Sequence, residues 1–105
     1  MRTRARDQIL GNLEAFLEAA ETVDALVSAA LESPEENSPL WKFTYEEVFR
    51  IKRERIDPLE YNYAWYDPDS SYRDDVLSYN SALQDHADTI RGVHEKLSLT
   101  LESGE

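Results

Sequence analysis

The segment ILGNLEAFLEAAETVDALVSAAL, residues 9–31, carries the strongest structural signal in the chain. Its apolar side chains recur at alternating steps of four and three residues, which is the spacing of the a and d positions of a helical heptad. Neighbouring leucines widen this stripe to three positions, as in a core helix of a globular bundle. The stripe consists of Ile9, Leu13, Phe16, Ala20, Val23, Val27 and Ala30. We predict a helix over about residues 5–32, ended by Ser33-Pro34 because the residue before a proline avoids helical geometry.

The same spacing returns near the C-terminal end of the sequence. The second stripe consists of Tyr72, Val76, Tyr79, Leu83, His86, Ile90, Val93 and Leu97. Asp67-Pro68 and Ser71 offer helix starts, and Ser71 is followed three residues later by Asp74, a combination typical of an N-cap. We predict a helix over about residues 70–101. Since the two stripes have similar lengths, we expect the two helices to pack side by side, in either direction.

A shorter helix is predicted between the two long ones, over about residues 44–56. Thr44 and Glu47 form a capping box, and Phe43 and Val48 occupy the positions of a hydrophobic staple. Asp57-Pro58 ends the helix, and the sequence contains little strand signal. The predicted fold is therefore all-α, a small helical bundle in one domain covering residues 1–105. We expect residues 102–105 to form a disordered tail.

Composition excludes several classes of function. The 105 residues include 22 acidic and 11 basic side chains, for a net charge of −11, and no cysteine. The missing thiols rule out disulfides and thiolate metal sites. The sequence has no apolar run long enough for a membrane span and no apolar signal region, so we expect a cytoplasmic protein. The acidic surface would repel phosphates, so we expect neither nucleic acid nor membrane as a direct partner.

No residue constellation indicates catalysis. His86 lies on the apolar stripe, where a packed core histidine is the simpler interpretation, although a ligand or pH-sensitive role stays open. His94 is eight residues further along and does not share its face. Asp67, Asp69 and Ser71 match the start of a calcium loop, but the turning glycine and the bidentate glutamate are missing. We therefore predict no enzyme, no catalytic residue, no metal site and no cofactor.

The charges fall into blocks along the chain. Acidic residues occupy the outer positions of both long helices, at Asp7, Glu14, Glu18, Glu21, Asp74, Asp88 and Glu95. Few cations stand one turn away to pair with them, so the surplus indicates solubility in high salt or a basic partner. Residues 50–55 are basic by contrast, through Arg50, Lys52, Arg53 and Arg55. This basic segment is either a contact point for a nucleic acid or an acidic partner or, as we prefer, an internal counterweight docked against the acidic helices.

The connector before the last helix combines aromatic rings with carboxylates. Tyrosine and tryptophan are enriched at the energetic centres of protein interfaces, because they bury a large area and keep a polar group. The alternative is that these rings cap one end of the bundle. We predict a partner-binding surface formed by Tyr63, Trp65, Tyr66, Asp67, Asp69, Asp74 and Asp75.

These features favour a non-enzymatic binding protein that blocks a partner with a basic surface. The expected partner is a protein that handles nucleic acid, and the chain would act as an inhibitor, an antitoxin-like blocker or a nucleic-acid mimic of the kind that phages encode against host defence. Carboxylates at i and i+4 on a helix rise by about 6 Å, close to the spacing of phosphates along a strand. The alternative is a self-associating structural or assembly subunit, for example a homodimer, whose acidity reflects a salty habitat.

Overall fold

A computed structural model describes residues 2–59 and 71–102, with side chains described for 7–59 and 71–99. Within these ranges the chain forms three α-helices and no strand: α1 spans Arg2–Ala30, α2 spans Pro39–Ile51 and α3 spans Tyr72–Glu102. A π-helical segment, Lys52–Ile56, and a 3-10 turn, Asp57–Leu59, extend α2. The predicted all-α bundle is confirmed. Of the predicted tail, residue 102 closes α3, and residues 103–105 lie outside the described part.

The two long helices pack side by side in opposite directions. Asn80 Nδ2 of α3 donates to Asp24 Oδ1 of α1 at 3.1 Å, and one turn further along α3 the Nε2 of Gln84 donates to the carbonyl oxygen of Ala20 at 2.8 Å. Residue numbers therefore increase along α3 in the direction in which they decrease along α1. The sequence left the direction open, and the structure makes it antiparallel.

The predicted stripes form the centre of the core. The buried apolar residues are Leu13, Phe16, Ala19, Ala20, Val23, Val27, Ala30, Trp41, Val48, Ile51, Ile56, Val76, Tyr79, Leu83, Ala87 and Ile90. Two stripe residues depart from the prediction, since Ile9 is 49% exposed and Val93 is 42% exposed. Both lie at the end of the molecule where the N-terminus of α1 meets the C-terminus of α3. The two stripes are thus buried over only part of the length of the antiparallel pair that α1 and α3 form.

The middle helix begins five residues before the predicted start. The N-cap is Ser38, whose hydroxyl accepts the backbone N–H of Trp41 at 3.3 Å, and Pro39 occupies the first helical position. Proline suits that position because its fixed φ is helical and the missing N–H would have no partner there. Thr44, the predicted cap, lies inside the helix, where its hydroxyl donates to the carbonyl oxygen of Leu40 at 2.9 Å. The predicted boundary at residue 44 is therefore wrong.

The predicted staple is wrong for the same reason. Val48 is fully buried, whereas Phe43 is 55% exposed and points away from the core. The contact that fixes the start of α2 involves Trp41 instead, since its buried indole donates from Nε1 to the carbonyl oxygen of Ser33 at 2.7 Å. This bond joins the connector after α1 to the first turn of α2.

The connector between α1 and α2 also holds the start of α3. The side-chain oxygen of Asn37 accepts the backbone N–H of Tyr72 at 3.0 Å. The guanidinium of Arg73 donates to the carbonyl oxygen of Pro34 at 2.8 Å and to the carboxylate of Glu36 at 2.9 Å. The predicted cap is confirmed as well, because the Ser71 hydroxyl accepts the backbone N–H of Asp74 at 3.1 Å. The beginnings of α2 and α3 therefore lie at the same end of the bundle as the end of α1.

Candidate protein-interaction surface

Only part of the predicted contact surface falls within the described residues. Tyr63, Trp65, Tyr66, Asp67 and Asp69 lie outside them. The two remaining members are neighbours in the first turn of α3 with opposite environments. The side chain of Asp74 is 55% exposed, whereas Asp75 is only 5% exposed. Asp74 thus faces solvent and contacts Arg73 at 3.7 Å, and Asp75 belongs to the packed side of α3.

The basic segment around residue 50 is neutralised mainly by acids of its own segment. Arg50 contacts Glu47 at 2.8 Å and Glu54 at 3.5 Å. The hydrogen bond to Glu47 and its negative charge raise the pKa of Arg50 above its ordinary value. Lys52 contacts Asp57 at 3.0 Å. The predicted counterweight against the acidic helices is therefore wrong: among the described residues, no ion pair joins this segment to α1 or α3, and Arg50 and Lys52 pair with acids close by in the chain.

The π-helical segment that extends α2 carries a further cation next to an aromatic ring of α2. The guanidinium carbon of Arg53 lies 5.6 Å from the centre of the Phe49 ring, within the range of a cation–π contact. Phe49 is partly exposed, as is Phe43. This side of α2 is therefore mixed in character, with cations, acids and exposed rings interleaved.

An acidic surface lies where α1 and α3 meet in solvent. Residues 14 and 21 on α1, and residues 88 and 95 on α3, are seven positions apart and therefore nearly aligned along their helices. Residue 24 lies on the same flank of α1 as residues 14 and 21, within about 80° around the helix axis. Two contacts across the helices bring these sides together: the Asn80–Asp24 bond and a 3.1 Å contact between His94 Nε2 and Glu14 Oε1. We name this surface the acidic face; its carboxylates are Glu14, Glu21, Asp24, Asp88 and Glu95, all of them exposed.

Cations neutralise the acidic face only in part. Arg91 contacts Asp88 at 2.8 Å, and His94 contacts Glu14. Within the described part of the chain, the carboxylates of Glu21 and Glu95 take part in no hydrogen bond and no ion pair. Among the described residues, the five carboxylates of the acidic face thus share one arginine and one histidine, which leaves an excess of negative charge on this surface.

The histidines occupy two different environments. The ring of His86 is half-buried and packs edge-on against Phe16, with 5.4 Å between the ring centres. This is the packed position that the stripe predicted.

Across the described ranges, no three His, Asp or Glu side chains are grouped so that they could hold a metal ion. None of the described helices combines the length and apolar character that a bilayer span requires.

The sequence predicted the acidic rows but not the acidic face. The outer positions of Glu14, Glu21, Asp88 and Glu95 follow from the heptads and are exposed as expected. Asp24 was missed, because its role depends on the contact with Asn80. The signal available in the sequence was the recurrence of polar residues along the flank of α3 at Asn80, Gln84, Asp88 and Arg91.

No protein-family model, no curated protein and no solved structure matches this chain.

Proposed function

We propose that this chain is a non-enzymatic binding protein whose acidic face docks onto the basic surface of a protein that handles nucleic acid, and so blocks it. The observation that carries this proposal is the excess of exposed carboxylates on the acidic face. Among them, Glu21 and Glu95 pair with no cation in the part of the chain that the structure describes. A partner that supplies arginines or lysines there would gain contacts without first breaking an internal ion pair.

The geometry of the acidic face supports a partner that normally binds phosphates. From Glu14 to Glu21 the helix rises by about 10 Å, and from Asp88 to Glu95 by the same amount. The two rows run along neighbouring helices, so their charges form a double line on a rigid support. A groove lined with cations for a nucleic-acid backbone would find a comparable array of negative charge here.

Electrostatic attraction would also guide the encounter. The net charge of −11 produces a negative field around the whole molecule. Such a field accelerates association with a basic partner at low ionic strength and loses its effect when salt screens it. Binding to the proposed partner should therefore weaken steeply as salt rises.

The test reverses the two carboxylates that have no internal partner. We expect Glu21→Lys combined with Glu95→Lys to weaken capture of basic proteins by at least about tenfold, because like charges facing each other across an interface cost several kcal/mol. The immobilised chain would be incubated with cell lysate at low salt, and bound proteins would be eluted with a salt gradient. Added duplex DNA should compete with the captured proteins if their nucleic-acid groove is the bound surface.

A matched control separates the acidic face from net charge. Glu32→Lys combined with Glu46→Lys makes the same change in charge at exposed positions elsewhere. This control should retain most of the capture. Equal losses in the two double variants, or no basic protein retained by the unmodified chain at low salt, would refute the proposed function.

A further inference from the structure

His94 lies against the acidic face and is a side chain that titrates near neutral pH. Its ring is half-buried on α3, and its Nε2 atom lies 3.1 Å from Oε1 of Glu14 on α1. Histidine ordinarily changes its charge between about pH 5 and 8, a range in which exposed carboxylates and guanidinium groups keep theirs nearly unchanged. The charge of the acidic face therefore depends on the protonation of this ring.

The contact between His94 and Glu14 differs in character between the two forms of the ring. A neutral imidazole with its proton on Nε2 donates a hydrogen bond to the carboxylate and leaves the negative charge in place. A protonated imidazole forms an ion pair with the same oxygen. The five carboxylates of the acidic face and Arg91 have a summed charge of −4 with the neutral ring, and protonation of His94 reduces this to −3.

The charged groups around this contact include both signs. His94 packs against α1 through Glu14, whose side chain is 64% exposed. The other described charged side chains within one helical turn of the two residues are Glu18 on α1 and Arg91, Glu95 and Lys96 on α3. All of these groups keep their charge over the range in which a histidine titrates. Among the described residues near Glu14, a change of pH within this range therefore acts through His94.

We propose that His94 regulates the acidic face by competing for Glu14, so that protonation of the ring weakens docking of a basic partner. This inference rests on the proposed function, because it concerns the same surface and the same partner. A partner arginine or lysine that approaches Glu14 meets a second positive charge when the ring is protonated and none when it is neutral. Like charges that meet at an interface oppose binding. Docking is therefore stronger at about pH 7.5 than at about pH 5.5.

The coupling between protonation and docking acts in both directions. Because protonation of His94 weakens docking, docking must favour the neutral ring by the same factor. Binding of a cationic partner at about pH 6 therefore releases protons from this ring. A contact that only held α1 and α3 together would not link the release of a proton to the binding of a partner.

Binding of a fluorescein-labelled oligo-arginine peptide at low salt, followed by fluorescence anisotropy, tests this inference. For the unmodified chain, the dissociation constant should rise about threefold from about pH 7.5 to about pH 5.5, which is the scale of one exposed ion pair. His94→Gln keeps an N–H donor and cannot be protonated, so it should bind equally well at both pH values. His94→Lys carries a positive charge throughout and should bind weakly at both.

His86→Gln is the matched control, because His86 lies on the apolar stripe and packs against Phe16. This variant should keep the pH dependence of the unmodified chain. Calorimetry in two buffers of different ionisation enthalpy should show protons released on binding at about pH 6 by the unmodified chain and by His86→Gln, and few by His94→Gln. Circular dichroism would verify that each variant is folded at both pH values.

Two outcomes separate this inference from the proposed function. Binding with the same pH dependence in the unmodified chain and in His94→Gln would overturn regulation by His94 and leave the acidic face as the docking surface. No binding of the peptide at the higher pH, or binding that Glu21→Lys combined with Glu95→Lys does not weaken, would refute the proposed function and this inference with it.

Discussion

Replacement of Trp41 by phenylalanine tests how the start of α2 is held. Trp41 is fully buried, and its indole N–H forms the 2.7 Å bond to the carbonyl oxygen of Ser33. Phenylalanine keeps an aromatic ring in the core but removes this donor, so the carbonyl loses its partner in a half-buried position. That loss costs about 1–2 kcal/mol, at the lower end of the range for buried groups. The smaller ring forfeits roughly another 1 kcal/mol of apolar contact.

The sum predicts that Trp41→Phe lowers the free energy of unfolding by about 2–3 kcal/mol. For a domain of this size the entropy of unfolding is about 0.2 kcal/mol per degree, so the melting temperature should fall by roughly 10 °C. Urea unfolding followed by circular dichroism measures the free energy directly. The slope of the free energy with urea concentration should not change, because the surface exposed on unfolding stays nearly the same.

Phe43→Leu is the matched control, because Phe43 lies on the same helix with its ring largely in solvent. This variant should change the free energy of unfolding by no more than about 0.5 kcal/mol. Two results would refute the reasoning: a Trp41→Phe variant within about 0.5 kcal/mol of the unmodified chain, or an equal loss in both variants. Either would mean that the connector after α1 is held without the indole bond.

Two further outcomes are expected. Gly11→Ala and Gly92→Ala should each stabilise the chain by up to about 1 kcal/mol, because both glycines lie inside helices and nothing lies within 4 Å of the position of an added Cβ. An unchanged or lower urea midpoint would contradict this. The melting temperature of the unmodified chain should rise with salt from about 0.05 to 1 M, because salt screens the mutual repulsion of the unpaired carboxylates. A fall would show that the ion pairs, for example that of Arg73 with Glu36, outweigh this repulsion.

The sequence predicted the long helices well because their signal is local and repeated. Thirteen of the fifteen stripe positions are buried or half-buried, and the exceptions, Ile9 and Val93, lie where the N-terminus of α1 meets the C-terminus of α3. Periodicity reports which side of a helix is apolar, but not whether another helix covers it. The error at the start of α2 is of a different kind. Ser38-Pro39 and the capping box that begins at Thr44 are both valid local signals for the start of a helix. Burial of Trp41, with its indole bond to Ser33, favours the start at Ser38-Pro39.

The site was less accessible to sequence reasoning. Asp74 and Asp75 are adjacent and chemically alike, yet α3 presents one to solvent and the other to the packed interior. One step along a helix turns a side chain by about 100°, and only the position of the neighbouring helices decides which of the two directions is covered. The pairing of Arg50 with Glu47 was missed for a different reason, since two residues three positions apart on a helix face each other and the sequence shows this spacing.

The sequence alone thus determined the helical class, the apolar stripes and the two acidic rows, since each depends on residues a few positions apart. Three features appeared only in the tertiary structure: the antiparallel packing of α1 and α3, the acidic face that Asp24 and Asn80 join, and the exposure of Ile9. These features depend on residues far apart in the chain. A repeating pattern in the sequence does not say in which direction two helices pack or which side chains meet between them. The acidity of the chain is a property of its composition, whereas its concentration on one face is a consequence of how two helices meet.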